Sequence, residues 1–302
     1  MRIVPIEPHG FCAGVKRALA LALEALDARR ETGEPLYGLH ELVHNELVVA
    51  DLELRGMRFV DVVDAVPEGG AVLFSAHGVA PAVRARAAER RLRVVDATCP
   101  FVARVHEQVR AFVARGLPVV IVGNPAHAEA VGLAGETARA HFLGGELPPK
   151  GARVGVVSQT TMNADDVAAA VARLRADYEV ETSAETCQAT RERQEAVRRF
   201  VGDGVLVLGS PNSSNTRRLA EIAAAGGRRT WRAGTLDEVR AADFSGVETL
   251  GVTSGASTPE SFFDAVRREL CRRLGVEVVE WAACGDGRRR SGAVRTGGGS
   301  CA

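Results

Sequence analysis

The sequence predicts an α/β fold: three similar units with parallel sheets, arranged with pseudo-threefold symmetry around one centre. Two observations predict it. Short apolar runs alternate with helical segments along the whole chain, which is how parallel strands covered by helices read. Three cysteines also stand at nearly equal intervals, each between a strand and a helix. They are Cys12 in GFCAGV, Cys99 in DATCP and Cys187 in AETCQAT, 87 and 88 residues apart.

In chain order, the run 1–6 reads as a strand and 14–28 as the helix after it. The run 71–74 is followed by helix 81–91, and 94–95 by helix 101–114, with Pro100 at a first helical position where its missing N–H does no harm. The Val-rich runs 119–122 and 154–157 precede helix 164–178, and 205–208 and 249–252 lie between the last two helices, 191–201 and 259–274. Pro259 again suits a helix start. The cysteines divide the chain into units 1–98, 99–186 and 187–283. The Gly/Arg-rich segment 284–302 is expected to be disordered.

The 302 residues are 46% hydrophobic, enough for a buried core, and carry 38 basic and 38 acidic side chains. That zero balance gives no footprint for nucleic acid. No 18-residue apolar run and no apolar leader after Met1 are present, so the expectation is a cytoplasmic protein without membrane contact. Six cysteines in a chain this long do not make a disulfide scaffold. Cys271 lies beside an apolar stripe of Phe263, Val266, Leu270 and Leu274 and reads as a packed thiol, and Cys284 and Cys301 read as peripheral.

Aligned on the three cysteines, polar residues recur at matching distances. His44, His127 and Ser214 follow by 32, 28 and 27 residues, and His77, Thr160 and Ser257 by 65, 61 and 70. Each lies after a strand or at a helix start, where open α/β sheets bind ligands. A helix N-terminus favours thiolate, and the three cysteines fit an iron–sulfur cluster, a structural zinc or three buried thiols. Single histidines at strand ends are commonly structural. Three at equivalent loops, beside Ser213, Ser214 and Asn215, make donors for phosphate oxygens. His9, His40, His106 and His141 lack that context and read as structural or surface. Singly, the Ser and Thr residues, with Thr161, read as helix caps; together they make an anion site. No P-loop or GxGxxG indicates a nucleotide. Glu129 in HAEAVG fits either a first-turn helix acid or a proton carrier.

The motifs GFCAGV, LVHN, SAHGV, DATCP, HxE, QTT, NSSN and GAS, in that order, resemble the 4-hydroxy-3-methylbut-2-enyl diphosphate reductase family (IspH/LytB) from the first strand to about Ala282. The resemblance implies a trefoil around a [4Fe–4S] cluster held by Cys12, Cys99 and Cys187, with one iron open. It implies that His44, His77, His127, Ser213, Ser214, Asn215 and Ser257 hold a diphosphate. Thr160 and Glu129 would stand near the substrate hydroxyl, with Glu129 delivering the proton and His127 beside it. It further implies ferredoxin or flavodoxin as electron donor, and reductive loss of water from an allylic diphosphate to give isopentenyl and dimethylallyl diphosphates. A paralogue acting on another allylic substrate, and a cluster-bearing sensor without catalysis, are the alternatives. This sequence departs from the family pattern at Gln188 and Glu192 after the third cysteine, and at Asn124 and Ala128 around His127.

Overall fold

A computed structural model describes residues 1–275. Cys284, Cys301 and the segment 284–302 lie outside the described residues. The chain begins with β1 (Arg2–Pro5), α1 (Ala13–Asp27), β2 (Leu36–Leu39), α2 (Glu46–Leu54), β3 (Met57–Val60), β4 (Ala71–Phe74), α3 (Pro81–Glu89) and β5 (Arg93–Asp96). Next come α4 (Pro100–Ala114), β6 (Val119–Val122), α5 (Ala128–Ala134), β7 (Ala140–Phe142), β8 (Arg153–Ser158), α6 (Ala164–Leu174) and β9 (Glu179–Thr182). It continues through α7 (Gln188–Arg199), β10 (Gly204–Leu208), α8 (Ser214–Ala225), β11 (Arg229–Ala233), α9 (Leu236–Ala241), β12 (Thr249–Ser254) and α10 (Glu260–Leu274). Among the described residues no helix is long and apolar enough to cross a membrane.

The strands form three four-stranded sheets, in the orders β3-β2-β4-β5, β7-β6-β8-β9 and β11-β10-β12-β1. Every pairing is parallel. In each sheet the cysteine follows one edge strand: Cys99 follows β5, Cys187 follows β9 and Cys12 follows β1. The helix that each cysteine opens then packs on a different sheet. α1 packs on β5 of the first sheet, α4 on β6 and β8 of the second, and α7 against α8 of the third. The cysteines are thus the points where the chain passes from one unit to the next. One boundary of the sequence reading needs correction. Residues 1–6 do not belong with 13–98, because β1 pairs with β12 in register Arg2↔Thr249 to Pro5↔Val252. The opening strand closes the ring: its backbone completes the edge of the third sheet while α1 covers the first.

Both faces of each sheet are buried, as parallel sheets require. In β6, Val119 and Ile121 face α4 and α5 through Val105, Val109 and Leu133. Val120 and Val122 face α6 through Val167, Ala170 and Val171. This is the two-residue alternation of a pleated strand. Each such valine or leucine removed from water contributes roughly 1.5–3 kcal/mol.

The strands without an apolar signature in the sequence are mostly at the edges. YGL in β2 aside, they read MRFV, AHF, EVET and RTWRA. An edge strand is paired on one side only, so it keeps polar residues and lacks the run that marks a central strand. Helix α7 starts at Gln188 rather than 191 because Cys187 itself is its N-cap. Cys271 is half-buried on α10, beside the buried Phe263, Val266 and Leu270.

Candidate active site

The residues that the sequence assigns to one centre follow the carboxyl ends of strands, and one cavity is lined by all of them. Cys12, Cys99 and Cys187 share it with His44, His77 and His127, with Glu129 and Thr160, and with Ser213, Ser214, Asn215 and Ser257. Thr161, Thr190 and the apolar Val15, Val43 and Val102 complete the wall. Three equivalent hydrogen bonds build the threefold arrangement. The backbone N–H of Cys12 donates to the Ala256 carbonyl at 3.1 Å, that of Cys99 to Ala76 at 3.0 Å, and that of Cys187 to Thr160 at 3.0 Å. Each acceptor lies in the loop after the strand next to the edge, so the edge-strand loop and its neighbour are fixed together in all three units.

The three cysteines are N-caps of α1, α4 and α7. The Cys12 sulfur accepts from the Val15 N–H at 3.5 Å. The expectation that a helix N-terminus favours thiolate is outweighed at two of the three positions. Burial pushes the Cys99 thiol up, against smaller opposing hydrogen bonds from Phe101 and Val102. Burial likewise pushes Cys187 up, offset in part by Thr190, whose hydroxyl lies 3.1 Å from its sulfur. Neutral thiols lose their protons when a metal arrives. The space between them depends on Gly14: a Cβ there would stand 2.7 Å from the Cys99 sulfur and 3.8 Å from that of Cys12.

The histidines cluster with ring centroids 4.2 Å (His44–His77), 4.9 Å (His44–His127) and 5.4 Å (His77–His127) apart. Their ligand nitrogens lie within 4.8 Å of one another, close enough for a metal ion or for one polyanion. Nδ1 of His44 donates to the Glu41 carboxylate at 3.1 Å. Nδ1 of His127 caps α5, accepting from the Glu129 N–H at 3.2 Å, so the neutral ring carries its proton on Nε2. Nε2 of both rings is buried without a protein partner. Burial, then the neighbouring histidines, holds His77 well below the usual imidazole range. Burial, then His44 and Arg217, takes His127 down to about 4.

The hydroxyl groups close the far side. Ser213 caps α8, accepting from the Thr216 N–H at 3.3 Å. Ser214 Oγ accepts from Arg217 at 3.3 Å. Ser257 Oγ donates to the His44 carbonyl at 3.1 Å, joining the first and third units. Asn215 accepts from the Ala256 N–H at 3.1 Å and donates to Thr190 at 3.3 Å.

Glu129 is 1% exposed. Its Oε1 accepts from the Thr160 N–H at 2.6 Å and its Oε2 from the Thr160 hydroxyl at 3.1 Å. Those bonds favour the carboxylate, but burial outweighs them and pushes its pKa up to about 7. The group is poised to give or take a proton at neutral pH.

Sequence reasoning passed over Gln159 and Thr190. Gln159, wholly buried, receives the Asn124 N–H and donates to Thr161, bracing the Thr160 loop. Thr190 touches both the Cys187 sulfur and Asn215. Both stand inside the quoted motifs QTT and CQAT, so the signal was adjacency alone. The departures at 188 and 192 are paired with each other: Gln188 donates to Glu192 at 2.7 Å on the exposed side of α7. Asn124 accepts the Ala126 N–H at 3.1 Å, a turn that sets the loop before His127. His106 is buried against Glu136 at 2.7 Å, His9 stacks on Phe263 at 3.8 Å, His141 reaches the Glu146 carbonyl at 3.0 Å, and His40 is exposed.

The LytB protein family matches residues 3–271. The 4-hydroxy-3-methylbut-2-enyl diphosphate reductase of Acidothermus cellulolyticus is 40% identical over 293 residues, spanning 92% of this chain and 85% of that protein. Its counterpart in Mycolicibacterium paratuberculosis is 41% identical over 296 residues, with 92% and 87% covered. The solved E-1-hydroxy-2-methyl-but-2-enyl-4-diphosphate reductase from Plasmodium falciparum superposes with a TM-score of 0.84 at 30% identity, over 89% of this chain and 88% of that one. Nearly the full length is shared, including every loop that reaches the cavity. The chain belongs to the LytB protein family, a membership that implies an iron–sulfur cluster.

Proposed function

We propose that this chain is a 4-hydroxy-3-methylbut-2-enyl diphosphate reductase, removing the allylic hydroxyl with two electrons and two protons to give water and isopentenyl or dimethylallyl diphosphate. One observation carries the reading: three thiols, two buried imidazole nitrogens without partners, and a carboxyl with its pKa near 7 share a single cavity.

Cys12, Cys99 and Cys187 would hold a [4Fe–4S] cluster, leaving one iron without a thiolate. The donor set fits. Soft thiolates suit iron–sulfur chemistry, whereas a structural zinc is closed by four ligands, and among the described residues no fourth cysteine lines the cavity. When bound, the cluster supplies electrons and a Lewis-acidic iron. Gly14 keeps the room for it between two of the sulfurs. Gly14→Ala introduces the better helix former, worth up to ~1 kcal/mol. It should nonetheless lower the iron and sulfide retained per chain several-fold, and wild-type content would show that the space is not needed.

His44, His77 and His127, with Ser213, Ser214, Asn215 and Ser257, bind the diphosphate. The serines and the start of α8 add hydroxyl and backbone donors, and the surrounding groups favour an anion over a metal ion at the histidines. Val15, Val43 and Val102 meet the carbon chain. Glu129, protonated on Oε2, passes its proton through the Thr160 hydroxyl to the departing oxygen. Positioning of the alkyl end by the fixed diphosphate supplies the orientation. Ferredoxin or flavodoxin supplies the electrons, in the cytoplasm, where thiols stay reduced.

Purified without oxygen, the protein should show a cluster absorption band and convert the allylic diphosphate to both products with a reduced donor. An intact cluster with neither turnover nor binding of that diphosphate would sink the reading. Binding should also take up protons. His77 and His127 are neutral in the free protein at pH 6–7, since burial holds both below the usual range. A polyanion favours their charged forms, so affinity rises as pH falls from 7 towards 5. Calorimetry in buffers of different ionisation enthalpy reads the uptake directly; none at pH 6 would remove the histidines from the diphosphate site.

A further inference from the structure

Arg193 lies on α7, the helix that Cys187 opens, and is only 3% exposed. Its hydrogen bonds go to carbonyls alone: Nη1 donates to Ala189 at 3.0 Å and Nη2 to Gly10 at 2.8 Å. Nε is buried with no partner. No carboxylate among the described residues lies within ion-pair distance of it, although arginines elsewhere in the fold are paired, among them Arg55, Arg86, Arg115, Arg198 and Arg272. A buried guanidinium with no counter-charge is costly, and the group does not escape by losing its proton. The ionisable groups that act on it most, once deprotonated, are Cys12 and Cys187, ahead of Glu192 and the half-exposed Glu260, and they oppose the effect of burial. Its bond to Gly10 also ties the segment that carries Cys12, in the strand loop of β1, to the helix of Cys187.

We propose that Arg193 is the counter-charge of the thiolate centre, fixing Gly10 and favouring the reduced, more negative state of the iron–sulfur group that Cys12 and Cys187 help to hold. The inference rests on the cluster assigned above. A group bound by three thiolates gains one negative charge with each electron accepted from the external donor. A fixed cation in a medium of low dielectric therefore stabilises the reduced form more than the oxidised one. Arg193 is a positioning and potential-setting residue. It is not among the residues that line the cavity.

The experiment compares Arg193→Gln, which keeps an amide donor and removes the charge, with Arg193→Lys, which keeps the charge. Iron and sulfide per chain are measured first, on the wild type; no cluster there refutes the functional reading itself, before any variant is made. Midpoint potentials then follow from dye-mediated titration monitored by electron paramagnetic resonance. Arg193→Gln should shift the one-electron equilibrium at least tenfold towards the oxidised cluster, which is 59 mV, while Arg193→Lys stays within about threefold of wild type. A cluster lost in Arg193→Gln and retained in Arg193→Lys also supports the proposal. An unshifted Arg193→Gln, equal shifts in the two variants, or cluster loss in both overturns it, because charge would then not be what the site requires.

Discussion

Glu129→Gln should lower turnover by about 10²- to 10⁴-fold, the usual contribution of a positioned general acid, with the cluster spectrum and iron content unchanged. The substitution is nearly isosteric. The amide oxygen of the variant can still accept the Thr160 N–H that now reaches Oε1 at 2.6 Å, and the Thr160 hydroxyl can turn to accept from the new amide nitrogen. What disappears is the proton. With a pKa of about 7, raised chiefly by burial, the wild-type acid form is lost as pH rises through neutrality, so the chemical step should slow above pH 7. Stability should also fall as pH rises, over a lower range. A carboxyl whose folded pKa lies above its unfolded value stabilises the fold fully below pH 4.5, and that contribution is lost as pH rises from 4.5 to about 7. An amide in its place carries no such dependence. The variant should therefore gain in melting temperature relative to wild type across that window, by at most about 3 kcal/mol in free energy, and hold the gain above it. A variant with wild-type turnover would remove Glu129 from the proton path. One that is inactive and also unstable at pH 8 would assign it a structural role instead.

Cys12→Ser should abolish turnover and strip most of the iron while leaving the fold intact. Cys12 has a local structural duty, accepting the Val15 N–H at 3.5 Å as N-cap of α1. Serine is among the best residues for that duty, so the helix start is kept and only the thiolate is removed. Circular dichroism and melting of the metal-free proteins should be superimposable, or the serine form slightly more stable. Iron and sulfide analysis should differ by most of a cluster per chain. Cys271→Ser, on α10 away from the cavity, is the control and should keep full iron. Full iron and full turnover in Cys12→Ser would mean that the three cysteines do not act as one ligand set.

Much of the fold was legible because it rests on local signals. The central strands β4, β6, β8, β10 and β12 are buried on both faces and so spell continuous apolar runs. The helices opened by Cys12 and Cys99 are announced by a strand on one side and by an Ala- or Pro-led helical stretch on the other, whereas for the helix opened by Cys187 only the helical stretch is marked. The edge strands β3, β7, β9 and β11 were not legible, since a half-paired strand carries charged residues such as Arg58, Glu179 and Arg229 at no cost. The place of β1 was not legible either. Its RIVP run declares a strand, but its partner β12 lies more than two hundred residues away, and pairing at that separation leaves no local trace.

The site divides in the same way. The residue types and their order along the chain came from the sequence, because cysteine, histidine and hydroxyl clusters at strand ends each have a chemistry of their own. Their energies did not. Which thiols are pushed up, why His127 falls to about 4 while Glu129 rises to about 7, and that Arg193 has no carboxylate partner all depend on how much water is excluded and on which groups face one another. The sequence alone determined three strand-to-helix thiols, a set of polar loops and a family likeness. Only the tertiary structure decided that each cysteine is a crossing point between two sheets, that the first strand closes the ring, and that all these loops share one cavity. Burial is a property of the assembled chain, set by contacts between residues far apart in sequence, and burial is what turns these ordinary side chains into a poised site.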